Sequence, residues 1–400
     1  MYPQQSSLAR LHREYRLVPV GMYSPQKENL QRLLPRYPES VDVGSSSKYQ
    51  GNVSLPALPP QKKLSKIEQT VQIYKGKVNK LPSLQLSDQL LQRKKQISET
   101  DGMRKSITPE RRQGKRNQVQ FAMRSKAGCQ SNKMTKINQD AAILCPKNLE
   151  SMGYKFFGVC DGHGQYGHMV SNQIRQQLPK HLGRVLKETE NIENQILKAF
   201  GITNKELCNS DIDTNLSGST TVSLLIAKDI IYSANVGDSR AIMCRFEDGW
   251  KVIELSRDHK PDDPQEKQRI LDAGGRVEQQ KDFNGNGIGP YRVWLSYIQA
   301  PGLAMTRSFG DKVGAQAGVI AEPEIQQFSI SGQDQFIVIA SDGVWEYMTN
   351  EEVMSIVIPF LDKDNPDQAA ERIIIEATQA WRKNSLARDD ITCIVIFLQK

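Results

Sequence analysis

The chain has 400 residues, with 53 Lys and Arg, 45 Asp and Glu, and a formal net charge of +8. Residues 1–120 hold 22 of the basic and 9 of the acidic residues, a net +13, so residues 121–400 hold 31 basic and 36 acidic residues, a net −5. The six cysteines form no C-x-x-C pair and no run of about 18 apolar residues occurs, which argues against a zinc or dithiol motif and against a membrane-spanning helix.

The N-terminal segment differs in composition from the rest of the chain. No Phe, Trp or Cys precedes Phe121, and Gln, Ser, Pro and Lys are abundant. Such a segment cannot bury enough apolar surface to offset its conformational entropy. We therefore predict a basic, mostly disordered tail over residues 1–115. One folded domain follows over residues 116–400, near the upper size for a single hydrophobic core.

Two features of the tail leave its role open. Pro56–Pro60 is either linker or a polyproline segment for a tail-binding protein, and the basic clusters at 104–105 and 111–116 are either solvated or a nuclear address. The tail's tyrosines are scattered away from these clusters, which argues against nucleic-acid binding. Nothing at the N-terminus resembles a signal peptide, so we expect the protein in the cytoplasm, with the nucleus as an alternative. We also expect a monomer.

From Val119 onward, apolar and β-branched runs predict a strand-rich domain. The predicted strands are 121–127, 141–144, 155–160, 220–227, 230–236, 241–245, 250–255, 325–330, 336–340 and 391–398. The predicted helices are 165–185, 191–208, 264–273, 351–361 and 367–383. Asp263, Pro264 and Glu266 form a good N-terminal capping sequence for the third helix. Helices that come in pairs between groups of strands predict an α+β domain with two packed sheets covered by helices.

Three aspartates flank predicted strands: Asp161, Asp342 and Asp389. Carboxylates gathered at one rim repel each other unless a cation lies between them, and hard divalent cations such as Mg²⁺ and Mn²⁺ prefer oxygen ligands. The pattern therefore predicts a carboxylate-built metal centre, to which Asp140 is a further candidate. Asp238 follows the same strand–Gly–Asp pattern, but an alternative is a turn aspartate paired with Arg240.

Ten motifs in this region together resemble the metal-dependent type 2C Ser/Thr protein phosphatases, and the Asn-Gln-Asp string looks most like plant and protist members. In chain order, over roughly 280 residues, they begin at Asn138, Asp161, Gly218, Gly237, Asp258, Ala273, Gly302, Glu322, Ser341 and Arg388.

This resemblance implies a four-layer αββα sandwich with a binuclear Mg²⁺ or Mn²⁺ centre in the cleft between the sheets. By residue matching, Asp161 bridges both ions, Asp342 and Asp389 complete one, and the Gly162 carbonyl with waters completes the other. Asp140 holds the waters of the second ion. Asp238, with Asp342, matches a looser third metal site.

The same resemblance makes His163 the general acid and implies hydrolysis of phosphoserine and phosphothreonine in proteins by a metal-activated water. The alternative is a non-catalytic member that binds or scaffolds phosphoproteins. Two positions depart from the family: Gln139 replaces a common Glu, and Thr135 replaces a phosphate-binding Arg. Lys136 or Lys133 is the candidate substitute. Residues 276–303 match the variable flap, which we predict to be a mobile, glycine-rich loop.

Overall fold

The computed structural model describes residues 119–187 and 190–398. The predictions made for the tail, including the disorder, the polyproline segment and the two basic clusters, lie outside these residues.

The first sheet has five antiparallel strands in the order β1-β15-β14-β7-β8. Its central strands are continuous runs of β-branched and aromatic residues, which suits strands buried on both faces. The strands are β1 (Gln120–Lys126), β7 (Arg240–Phe246), β8 (Trp250–Glu254), β14 (Asp334–Ala340) and β15 (Ile391–Phe397).

The second sheet has seven strands in the order β12-β4-β3-β5-β6-β13, with β2 paired to β3 beside this path. Every pairing in it is antiparallel. The strands are β2 (Asp140–Leu144), β3 (Tyr154–His163), β4 (Gly218–Ser219), β5 (Thr221–Ala227), β6 (Ile230–Val236), β12 (Phe309–Gly310) and β13 (Glu324–Ser329).

Helices cover the outer faces of both sheets. The helices of the described residues are α1 (Lys147–Glu150), α2 (Gly167–Val185), α3 (Ile192–Cys208), α4 (Pro264–Asp272), α5 (Lys312–Ala315), α6 (Asp342–Trp345), α7 (Asn350–Val357) and α8 (Pro366–Asn384), with a 3₁₀ turn at Ile358–Phe360. Apolar residues of α2 and α3 form one cluster with the second sheet, and those of α7 and α8 form another with the first sheet.

A third apolar cluster lies between the two sheets. Strand β14 shows why, because side chains alternate along a strand: Phe336 and Val338 face the helices, whereas Ile337 and Ile339 face the second sheet. The layers are thus helix, sheet, sheet, helix. The predicted α+β sandwich of two packed antiparallel sheets is confirmed.

The short elements α1, α5, α6, β4 and β12 were not predicted from the sequence, and two larger regions also differ from the prediction. Strand β3 continues through Asp161 to His163, so Asp161 lies within a strand and not after one. The segment predicted to be a loop contains a separate three-stranded sheet of β9 (Gly275–Lys281), β10 (Gly287–Leu295) and β11 (Pro301–Leu303). The prediction failed there because the first half of β10 is glycine-rich and exposed, and lacks the apolar alternation of a half-buried strand.

Candidate metal centre and active site

Asp140 and Asp161 lie side by side at one end of the second sheet. They are direct cross-strand partners of β2 and β3. Two carboxylates opposite each other on neighbouring strands repel one another. Oδ2 of Asp140 accepts a hydrogen bond of 2.9 Å from the Ser341 hydroxyl, which belongs to the other sheet's end. The edges of both sheets therefore meet at this pair.

Asp342 and Asp389 approach from the first sheet. Asp342 begins α6 directly after β14, and Asp389 precedes β15, the neighbouring strand. The Ser341 amide donates to the Thr392 carbonyl at 3.0 Å, which ties the two strand ends together. The pKa of Asp161 is raised well above its ordinary range, first by burial and then by the negative charges of Asp140, Asp342, Asp389 and Asp238. Five carboxylates thus share one region.

The chemistry of this cluster fits hard divalent cations. Asp140 Oδ1 and Asp342 Oδ1 are buried, and neither oxygen has a hydrogen-bond partner among the described residues. Within residues 119–187 and 190–398, no group of three or more His, Cys, Asp or Glu side chains is arranged closely enough to hold a metal ion. Burial, and after it the negative charges of neighbouring aspartates, raise the pKa of both Asp161 and Asp342. Buried carboxylate oxygens that lack a protein donor are ligands of the kind that Mg²⁺ and Mn²⁺ prefer.

Gly162 brings three backbone segments close together behind the carboxylates. A Cβ at Gly162 would lie 2.3 Å from the Gly167 carbonyl oxygen and 2.7 Å from that of Gln139. The Gly162 amide donates to the same Gln139 oxygen at 3.1 Å. The end of β3, the start of α2 and the residue before Asp140 are therefore packed at a distance only glycine permits.

His163 faces the cluster from the end of β3. Its Nε2 lies 2.6 Å from Oδ2 of Asp311, a buried carboxylate that starts α5. Burial lowers the pKa of His163, but the charge of Asp311 and the hydrogen bond to it more than compensate, so the pKa is raised. Asp311 therefore fixes the ring orientation and favours the protonated imidazolium.

The two candidate phosphate-binding lysines lie in different places. Lys136 Nζ is 2.5 Å from Asp389 Oδ1 and 3.7 Å from Asp390 Oδ2, so it borders the carboxylate cluster. Lys133 is an exposed residue with a φ of 67° in a tight turn, where its amide donates to the Gln130 carbonyl. The structure brings Lys136 to the site and leaves Lys133 on the surface of the loop.

Asp238 pairs with a different partner from the one considered in the sequence. Its Oδ2 accepts from the Lys260 ammonium. Arg240, the alternative partner, instead makes a two-pronged contact with Asp258 at 3.0 and 2.7 Å. The alternative of a turn aspartate paired with Arg240 is therefore wrong, because the guanidinium of Arg240 binds Asp258 instead.

Several residues that sequence reasoning left without a role lie at the site. Asp311 and Lys260 belong to motifs that were recognised, but their partners, His163 and Asp238, are distant in sequence. Asp390 is buried and accepts from the amides of Gly128 at 2.6 Å and Gln139 at 3.0 Å. It thereby holds the loop that carries Lys136 against the start of β15. In the sequence, the adjacent acidic pair Asp389-Asp390 was the feature from which a role for Asp390 could have been predicted.

Comparison with known proteins agrees with this geometry. The family model described as Protein phosphatase 2C matches residues 124–386. This chain belongs to the protein phosphatase 2C family. The prediction of a protein serine/threonine phosphatase is confirmed by this match and by the curated relatives.

Two of those relatives are from Arabidopsis thaliana. The probable protein phosphatase 2C 72 is 38% identical over 280 residues, covering 66% of this chain and 82% of the relative. The probable protein phosphatase 2C 34 is 35% identical over 282 residues, covering 65% of this chain and 77% of the relative. Among solved structures, a serine-threonine phosphatase 2C from Toxoplasma gondii matches with a TM-score of 0.60 at 22% identity, covering 70% of this chain and 95% of that one. That likeness supports the fold.

Proposed function

We propose that this phosphatase hydrolyses phosphoserine and phosphothreonine in proteins with two Mg²⁺ or Mn²⁺ ions. Asp161, Asp342 and Asp389 would hold the ions, and Asp140 would hold the waters of the second ion. The observation that carries the proposal is the convergence of carboxylates from both sheets, with two buried oxygens left without hydrogen-bond partners. Lys136 and Lys260 pair with Asp389 and Asp238, but within residues 119–187 and 190–398 no ion pair includes Asp140, Asp161 or Asp342. Bound divalent cations supply a water nucleophile at neutral pH and neutralise charge on the phosphoryl oxygens.

The chain's own residues divide the remaining work. Asp161 and Asp342 supply carboxylate oxygens for the cations. Gly162 lets the backbone at Gly167 and Gln139 pack closely against the end of β3. Ser341 and Asp140 link the two sheet ends through their hydrogen bond, which fixes the distance between ligands from different sheets. A rigid arrangement of this kind lowers the reorganisation needed when charge develops on the phosphoryl group.

His163 supplies the leaving-group proton in this proposal. Its contact with Asp311 through Nε2 fixes the orientation of the imidazole ring. A protonated imidazole placed there can donate to the departing Ser or Thr alkoxide. Lys136 is the candidate for phosphate binding, since it borders the carboxylates. A lysine acts there as a point charge without the two-pronged geometry of arginine.

The proposed substrate class follows from the family, and the proposed partner of the tail follows from its basic composition. Phosphoproteins are the substrate class, and the basic tail at 1–115 is a candidate attachment for a partner protein. Among residues 119–187 and 190–398, no helix has the length and apolarity to cross a membrane. Location in the cytoplasm or nucleus, a monomeric state and a third, weaker ion remain predictions.

The test is phosphate release from a phosphothreonine peptide by the purified chain, with and without Mn²⁺. We expect Mn²⁺-dependent release that chelation abolishes. Asp342→Asn is expected to be inactive, whereas Asp362→Asn, the same change at an exposed position, retains wild-type release. Release that survives chelation would contradict the metal proposal, and a wild-type chain that binds the peptide without hydrolysing it would favour a scaffolding role.

A further inference from the structure

Lys260 lies on a segment that is tied to the turn carrying Asp238. The His259 amide donates to the Gly237 carbonyl at 3.0 Å, and the Gly237 amide donates back to His259 Nδ1 at 3.1 Å. His259 is fully buried, and its carbonyl accepts from the Thr306 amide at 2.9 Å. The backbone on both sides of the ion pair is therefore fixed, so the Lys260 ammonium is placed beside Asp238 by the fold.

The surroundings of this ammonium are acidic on several sides. Asp238 is 2% exposed and accepts from Lys260 directly, and the charges of Asp342 and Asp258 also act on the lysine. Asp258 already has Arg240 as a partner. Burial and then the negative charge of Asp238 raise the pKa of Asp342, and the positive charge of Lys260 opposes this increase. The Lys260 ammonium thus offsets the negative charge of the buried Asp238 carboxylate.

We propose that Lys260 is a resident cation at the Asp238 edge of the metal centre, where it competes with a third divalent ion for Asp238 and Asp342. This inference rests on the proposed metal-dependent function. Lys260 sets the metal concentration at which this third position, the outer site, fills, while the two positions that share Asp161 depend on it little. The protein then retains a folded cluster at low metal concentration, because one carboxylate always has a protein-derived partner.

A resident cation predicts two opposite effects of its removal. In Lys260→Gln, the buried Asp238 loses its partner, so the metal-free protein melts about 5 °C lower than wild type. The same loss frees Asp238 and removes a nearby positive charge, so the weakest class of Mn²⁺ sites binds about tenfold more tightly. Lys260→Arg keeps the charge and is expected to resemble wild type in both measurements.

The experiment is calorimetric titration of Mn²⁺ into the full-length chain after removal of metal by chelator, with free Mn²⁺ counted by electron paramagnetic resonance. Melting temperatures are measured in chelator and in saturating Mn²⁺. The control is Lys251→Gln, which removes an exposed lysine paired only with Glu247 on the surface. The control is expected to leave the Mn²⁺ affinities and both melting temperatures unchanged.

The outcomes separate this inference from the function on which it rests. Tighter outer-site binding by Lys260→Gln, together with a melting difference that Mn²⁺ closes, supports the resident cation. Equal or weaker outer-site binding, or a melting deficit of the same size with and without Mn²⁺, overturns it and makes Lys260 a purely structural residue. A wild-type chain that binds no Mn²⁺ at all sinks the proposed function and this inference together.

Discussion

At the scale of single residues, Asp161 is where the demands of folding and function conflict. It lies inside β3, opposite Asp140, and within reach of the charges of Asp342 and Asp389. An unliganded cluster of this kind costs stability, because burial and like charges both oppose ionisation. Residues that a protein keeps at such a cost are concentrated at functional sites.

This conflict predicts opposite effects on activity and stability. Asp161→Asn is expected to reduce turnover by roughly 10³-fold or more, because a ligand to the proposed cations is lost. The same variant is expected to melt at a higher temperature than wild type in chelator, because one of the repelling charges is gone. Asp389→Asn loses turnover in the same way but gains no stability, since it also loses Lys136. Phosphate release and thermal melting measure the two effects, and a metal-free Asp161→Asn that is less stable than wild type would contradict the repulsion argument.

The proposed role of His163 as general acid predicts that the effect of its removal depends on the leaving group of the substrate. We expect His163→Ala to slow hydrolysis of a phosphoserine peptide by about 10²–10⁴-fold and hydrolysis of p-nitrophenyl phosphate much less, because a good leaving group needs no proton. Asp311→Asn, which keeps a hydrogen-bonding group but removes the charge beside His163, is expected to show a smaller version of the same difference. Equal losses on the two substrates would assign His163 a structural role.

At the scale of elements, α4 shows how a capped helix anchors the approach to the site. Asp263 caps it by accepting from the amides of Gln265 and Glu266, both at 3.0 Å. Glu266 is 2% exposed and binds Arg307 at 2.7 Å and the Thr306 hydroxyl at 2.5 Å. The helix is thereby joined to the segment that leads into β12, the strand just before Asp311.

This network predicts an acid-sensitive contribution to stability. Burial alone would raise the pKa of Glu266, but hydrogen bonds from Arg307 and Thr306 and nearby positive charges lower it to about 2, from an ordinary 4.5. A lowered pKa stabilises the fold fully above pH 4.5, and that stabilisation is lost as the pH falls toward 2. Denaturant unfolding of wild type and Glu266→Gln between pH 7 and pH 2.5 checks this.

The variant is expected to be less stable by about 3 kcal/mol at pH 7, because Arg307 keeps a buried charge without its partner. That difference should shrink on acidification below pH 4.5. Parallel stability curves across the whole range would show that Glu266 is not ionised in the folded protein or is not coupled to the arginine.

Elements with a strong local signal were predictable from the sequence, and those defined by distant contacts were not. The predicted start of α4 follows from Asp263 and Pro264, and β6 was predicted with its exact bounds because Ile230–Val236 is a compact apolar run. The β9–β10 hairpin was missed because polar, exposed strands carry no periodic signal. The carboxylates themselves were predicted, but the partners of Asp238 and His163 were not, because Lys260 and Asp311 are brought to them only by the folded chain.

At the scale of the whole molecule, the described residues form four apolar clusters: the three above and a fourth around the sheet of β9, β10 and β11. All four consist of side chains between Val119 and Leu398. Strand β1 is the first strand of the described part of the chain, and it pairs along its full length with β15, from Gln120 opposite Phe397 to Lys126 opposite Ile391. The boundary that matters for folding is therefore expected just before β1, in agreement with the change of composition at Phe121.

Two truncations on either side of β1 test this boundary. Removal of residues 1–115 is expected to leave a folded protein whose turnover of p-nitrophenyl phosphate resembles that of the full chain, because no described core residue is lost. Removal of residues 1–127 deletes β1, including Phe121, whose ring packs edge-on against Phe157 at 4.9 Å. It also exposes β15 as an apolar edge strand that can pair with other molecules. The longer truncation is therefore expected to aggregate, as measured by size-exclusion chromatography and circular dichroism. A shorter truncation that is already unfolded would place part of the tail in the folded domain, and a longer one that remains soluble and active would show that β1 is dispensable.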